Sequence, residues 1–354
     1  MNYTADMLTK FTDDLSIPQK EELESIFKSG SDISNAHYSN YEEALKSQKG
    51  IVDITTAIDT FLFFDRYKYS AFFEVDNPQN IPFDILLSRM PVKTKKNSEA
   101  FYLNDENLVF TRLNNEFGLY YIVDYRDEAE GNNIIRNYFN GVLVCFHNEA
   151  GRIFCEICLS DLRLIYRSGD PEYFYTTINL LKSMVSKYIQ LNLNGLDLKE
   201  LIFDLSNDKS LDYVVYTGSN MHTDKRAQAT LMSGKSKNFV IPILGDLEVF
   251  LEENTELLHK NSDTLLILHK LEEFIADLKN NSHYTWINLT WGLKTLPKNK
   301  LIEVKYLFEN SYTLLSYFSH NLGRGGMRYA TERLLDEFVK KQTAVVFEGN
   351  ESVV

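Results

Sequence analysis

A chain of 354 residues that is 44% hydrophobic and 13% aromatic, with 16 Gly and 7 Pro, has room for two or three ordered domains and lacks the composition of a disordered or collagen-like protein. Its formal net charge of −13 repels polyanions at long range, which argues against indiscriminate nucleic-acid binding by the whole surface. The first residues carry no basic, then apolar, leader pattern, no apolar run approaches the ~20 residues of a membrane span, and the chain has only 3 Cys, so the expectation is a soluble cytoplasmic protein without disulfides.

In chain order, residues 1–66 predict helices. Ile17-Pro18 opens the segment from Gln19 to Lys28, and Ser29 to Asn40 reads as loop. Ile51, Ile54, Ile58, Phe61 and Leu62 recur at helical spacing. From about Tyr69 to Arg167 the period shortens to two. Ser70–Val75, Phe83–Leu87, Leu108–Leu113, Leu119–Tyr125, Val142–His147, Ile153–Leu159 and Leu162–Tyr166 all read as strands. Their short connections, such as Asn148-Glu149-Ala150-Gly151, join antiparallel neighbours, because a parallel crossover needs a dozen or more residues.

Asp170-Pro171-Glu172 predicts a helix start, with Asp170 as N-cap and the helix running over 171–191. Leu198–Leu205 and Leu211–Tyr216 read as strands, and 217–238 as a long exposed loop. Beyond Gly245 the pattern reads helical in four stripes. They run through Leu247 to Leu258, Ile267 to Leu278 (capped by Ser262 and Asp263), Leu301 to Leu322, and Met327 to Phe338, the last finished by Lys340-Lys341. The fold class predicted is therefore α+β: a central antiparallel sheet or roll with N-terminal helices and a C-terminal helical bundle. The expected domains are an α+β domain over 1–240, a bundle over 241–345 and a tail over 346–354.

All three cysteines fall within fourteen residues, as Cys145-Phe146-His147 and Cys155-Glu156-Ile157-Cys158, and with His147 they offer four zinc ligand types. His147-Asn148-Glu149 followed by Cys-x-x-Cys resembles the residue set of zinc deaminases, but those enzymes place the two motifs on separate helices with a strand between them. A regular hairpin sets Cys155 and Cys158 on opposite faces of one strand, so the plain reading is three buried thiols, with zinc as the one candidate cofactor.

In the stretch 217–238, His222, Lys225, Arg226, Lys235 and Lys237 face only Asp224, which makes it cationic within an acidic protein and a candidate contact for an anion or a partner. Ala229 to Ser236 matches a loose phosphate-loop pattern without the strand-loop-helix context that the mechanism needs. Gly323-Arg324-Gly325-Gly326-Met327-Arg328 reads as an inter-helix turn whose Arg324 and Arg328 are a second candidate anion grip. Glu74 and Asp76 share a strand face, as a solvated edge or an acid pair would. Ile302-Glu303-Val304-Lys305 resembles the Glu-x-Lys half of a restriction-type nuclease site, but the helix expected there would point the two side chains apart.

No His-Glu-x-x-His, Gly-x-Ser-x-Gly or Gly-x-Gly-x-x-Gly motif is present. The function expected first is a non-catalytic binding or assembly subunit of an intracellular multiprotein complex, with a protein partner or self-association. The alternative is an enzyme or effector acting on a nucleotide or nucleic acid through 217–238 and 323–328, a partner class that the net charge disfavours.

Overall fold

The structure, a computed structural model, describes residues 4–30, 40–46, 48–64, 67–93, 100–101, 109–111, 118–130, 133–160, 162, 172–208, 210–222, 228–232, 247, 250–280, 283–292, 302–308, 311–318 and 323–351. It is mixed helix and strand with a large antiparallel sheet and helices at both ends. The chain divides into two compact units, one comprising 1–196 and 323–328, the other 197–322 and 329–354.

In the first unit, helices α1 (Ala5–Asp14), α2 (Ile17–Gly30), α3 (Tyr41–Ala44) and α4 (Gln48–Phe64) precede strand β1 (Tyr67–Val75). Thr4 caps α1 by accepting from the Met7 amide at 3.2 Å, and Phe11 of that helix lies against Phe139 of the sheet, both fully buried. Helix α4 begins against the end of α3 so closely that a Cβ on Gly50 would run into the Ala44 carbonyl. Gly50→Ala is expected to lower stability by about 1–3 kcal/mol, because backbone rather than a side chain must yield. A thermal melt checks it, and an unchanged midpoint would show that the α3–α4 turn gives way freely.

The sheet of this unit runs β1–β7 (Arg152–Ser160)–β6 (Asn133–Glu149)–β5 (Leu119–Glu130)–β4 (Phe110–Thr111)–β2 (Val92–Lys93), with β8 (Leu193–Gly195) also on β1 and β3 (Ala100–Phe101) on β5. The long pairings are antiparallel; among the described residues only the two-residue β2–β4 and β3–β5 pairs are parallel. The β6–β7 hairpin closes at Ala150-Gly151, both at positive φ (50° and 81°), the twist that a two-residue hairpin turn requires.

One expectation is corrected in this unit. Phe83–Leu87 is not a strand but helix α5 (Phe83–Ser88), burying Leu86 and Leu87 together, which a strand cannot do on one face. Its approach is set by Asn77, whose side chain accepts from the Ile81 amide and donates to the Ile81 carbonyl. Helix α6 starts at Tyr173 after Glu172 and ends at Ile189, with Gln190 in the left-handed conformation. Asp170, Pro171 and the expected strand at Leu162–Tyr166, apart from Leu162 itself, lie outside the described residues.

The second unit holds helix α7 (Lys199–Asn207), strands β9 (Val214–His222) and β10 (Gln228–Met232), helices α8 (Thr255–Leu258) and α9 (Ser262–Asn280), strands β11 (His283–Trp291), β12 (Ile302–Leu307) and β13 (Leu314–Phe318), and helix α10 (Gly323–Glu351), whose first residues belong to the other unit. The strands pair antiparallel in the order β10–β9–β11–β12–β13.

The corrections here are larger. Leu198–Leu205 is the helix α7, whose buried Leu201, Ile202 and Leu205 have helical spacing. The third helical stripe, Leu301 to Leu322, is instead strands β12 and β13. Ile302, Val304 and Tyr306 are buried and alternate with the half-buried Glu303, Lys305 and Leu307, a period of two that the Leu301, Val304, Phe308 spacing imitates at 3.6. Strand β11 had no counterpart in the sequence reading.

Helix α9 is capped not by Ser262 or Asp263 but by Asn261, whose side chain accepts from the amides of Asp263 and Thr264. Helix α10 continues to Glu351, so Lys340 and Lys341 sit within it, bonded to Glu337 and Asp204, and residues 346–351 are its last turns rather than a tail.

Candidate functional site

The predicted basic loop is in part a hairpin. Strand β9 runs on through His222, and β10 takes up 228–232. Its polar residues suit a sheet because they bond to one another: Asn220 donates to Thr230 of the neighbouring strand at 2.7 Å, Thr285 of β11 donates to Asn220 at 3.0 Å, and within β9 the Tyr216 hydroxyl donates to Ser219 at 2.6 Å. His222 is half-buried at the end of β9, opposite Gln228 and His283. Lys225, Arg226, Lys235 and Lys237 lie outside the described residues, as do positions 233–236 of the phosphate-loop match.

Residues 323–328 are not an inter-helix turn but the opening of α10, and the element before them is a strand. Burial of Met327, Ala330, Thr331, Leu334, Leu335 and Phe338 outweighs the cost of glycines in a helix. Arg324 and Arg328 are therefore successive-turn neighbours on α10, with Arg328 exposed. The candidate acid pair is also accounted for, because Glu74 takes two 2.8 Å hydrogen bonds from the Arg152 guanidinium.

Strand β12 reverses the reason for setting aside Glu303 and Lys305, since residues two apart on a strand share a face. Glu303 accepts from the Asn288 side chain at 3.1 Å, and the Lys305 ammonium sits 4.1 Å from the centre of the Trp286 ring. The register neighbours of Glu303 and Lys305 are Thr290, Asn288, Phe318 and Ser316. None supplies the second carboxylate of a metal-dependent nuclease, so the half-motif stays a half-motif.

The cysteines are placed by the β6–β7 register. Cys145 stands opposite Glu156, and Leu143 opposite Cys158, so Cys145, Glu156 and Cys158 share one face while Cys155 faces the other side opposite Phe146. The two sulfurs and a Glu156 carboxylate oxygen lie within 4.8 Å of one another, and all three residues are buried. His147, next along the same face, brings Nε2 to 3.1 Å from Glu156 Oε2. Burial pushes the Cys155 and Cys158 thiols well up, which keeps them protonated and slow to react. Glu156 was missed by the sequence reading, although its position between Cys155 and Cys158, two before Cys158, was the available signal.

A different feature stands out on the helices before β11. Leu251, Leu268 and Ile275 form a small core of their own, with Leu247, Leu258, Leu265 and Leu271 packed against it. Beside that core Phe250, Leu257, Leu266, Ile267 and Phe274 are about half exposed, from 48% at Phe274 to 60% at Leu257. Ile267 and Phe274, seven residues apart, project from the same side of α9, whose apolar arc is wider than the part that its own core covers. Five such side chains within 25 residues exceed the scattered single apolar residues of an ordinary surface. Among the described residues no helix is long and apolar enough to cross a membrane. No protein-family model, curated protein or solved structure matches the chain.

Proposed function

We propose that this protein is a non-catalytic binding or assembly subunit that takes hold of a partner protein through the apolar face of 250–274. The observation that carries this reading is the set of five large apolar side chains left about half exposed beside a small separate core. The charge of this stretch supports a basic partner. Among the charged residues exposed between 250 and 274, the acids Glu252, Glu253, Glu256, Asp263, Glu272 and Glu273 outnumber Lys260 and Lys270. A basic amphipathic helix would lay its apolar side on Phe250, Leu257, Ile267 and Phe274 and set its cations against those acids. A second copy of the same face would bring acids against acids, which disfavours symmetric self-association.

A photo-crosslinking residue placed at Leu266 in cells, followed by reconstitution with the adduct's partner, tests the reading. The double change Ile267→Glu and Phe274→Glu is expected to weaken that complex by about 100-fold or more while leaving the melting temperature nearly unchanged. Rising salt is expected to slow association. Equal affinity of the double variant, or crosslinks only to a second copy, would overturn the proposal.

A further inference from the structure

Beyond the docking face, and independent of it, the sheet of the first unit carries a site. A carboxylate, two thiols and an imidazole converge on one face of two neighbouring central strands, β6 and β7. Glu156 is only 5% exposed, Cys145 8% and Cys158 3%. Buried thiols are ordinary in a core, but a carboxylate is costly to hold away from water, and here it shares one strand face with two sulfurs. A divalent cation at these donors would offset that cost.

We propose that Cys145, Glu156 and Cys158 bind a zinc ion and that His147 is the positioning residue that fixes the Glu156 carboxylate. Two soft sulfurs with one carboxylate oxygen are a ligand set suited to zinc and poorly suited to magnesium or calcium, which take oxygen donors. Tetrahedral zinc, with sulfur at about 2.3 Å and oxygen at about 2.0–2.2 Å, holds its ligand atoms roughly 3.5–3.8 Å apart. Donor atoms already within 4.8 Å of one another need only a small contraction to reach that spacing. The 3.1 Å contact from His147 Nε2 occupies the carboxylate oxygen Oε2, which is the supporting role that outer partners play at metal sites. Three protein donors leave one tetrahedral position for a water. Cys155, on the opposite face, takes no part. The ion would join the two strands side to side, a clamp across the β6–β7 hairpin.

The test uses the full chain, produced in zinc-supplemented medium and analysed for metal after dialysis. About one zinc per chain is expected in the wild type and in Cys155→Ala, with a loss of at least about tenfold in affinity for His147→Ala and loss of retained zinc in Glu156→Gln and in Cys145→Ser. Because the cysteine variants remove buried groups, cobalt added to metal-free wild-type protein supplies a readout that needs no variant: an intense thiolate-to-cobalt charge-transfer absorption is expected. A folded wild-type protein that neither retains zinc nor gives that absorption would overturn the proposal. So would zinc retained undiminished in a Cys145→Ser, Cys158→Ser double variant, or lost from a folded Cys155→Ala.

Discussion

Trp291→Ala is expected to destabilise the second unit by about 3–5 kcal/mol, a large fraction of the roughly 5–15 kcal/mol that holds a typical domain together. Trp291 is fully buried at the end of β11, which is paired on both sides, by β9 and β12. Its ring stacks on Tyr213 at a centroid distance of 6.3 Å, and its indole N–H donates to the Tyr306 hydroxyl at 2.7 Å. Removing the ring opens a cavity in the middle of a sheet whose backbone is pinned from both sides and cannot collapse to fill it. Urea unfolding followed by the fluorescence of the remaining Trp286 measures the loss. Tyr306→Phe is the finer probe: it keeps the volume but strands the buried indole N–H, at an expected cost of about 1–3 kcal/mol. A Trp291→Ala midpoint shifted by less than the equivalent of about 1 kcal/mol would mean that the site repacks, contrary to its two-sided strand pairing.

Strand β11, which holds Trp291, was not legible in the sequence, whereas other elements were. The β6–β7 hairpin was readable because Ala150-Gly151 and the alternation on either side point to one answer. So were α1, α2, α4 and the start of α10's apolar stripe at Met327, Ala330 and Leu334, where helical spacing persists over several turns. Short apolar runs were not readable. Phe83–Leu87 and Leu198–Leu205 are each compatible with a strand or with one to two turns of helix, and tertiary burial decides between them. In β12, Val304 belongs equally to a period of two through Ile302 and Tyr306 and to a period near 3.6 through Leu301 and Phe308. The cationic character of 217–238 was legible as composition, but the hairpin within it was not, because Asn220 and Thr230 look like loop residues until their side-chain hydrogen bond across the strands is known. The candidate metal cluster was half legible. Strand alternation already set Cys155 and Cys158 on opposite faces, while register alone brings Cys145 and Glu156 to the face of Cys158.

The polar content of the second unit's sheet leads to the other large effect expected, a loss of stability at alkaline pH. Burial raises the Tyr306 phenol far above its ordinary range, only partly offset by the hydrogen bond from Trp291. Burial likewise raises Tyr216 and Tyr284, and it pushes Tyr213 up to about 12, helped by Glu337, which accepts the Tyr213 hydrogen bond. A phenol whose pKa is higher in the folded chain than in the unfolded one keeps its proton in the fold while the unfolded chain gives its own up. Stability is therefore complete below pH ~10, the unfolded value, and falls as pH rises beyond it toward the folded value. Tyr306, with no solvent access, contributes a slope of about 1.4 kcal/mol per pH unit above pH ~10. Tyr216, Tyr284 and Tyr213 act in the same direction, more weakly because water reaches them. Urea midpoints measured from pH 8 to pH 11 are expected to hold level and then drop steeply, and Tyr306→Phe is expected to flatten that drop by about 1.4 kcal/mol per unit, even though it weakens the fold at neutral pH. Phenolate absorbance provides the opposing check: if all the tyrosines of the still-folded protein ionise near pH ~10, the hydroxyl of Tyr306 is open to solvent and the slope assigned to it disappears.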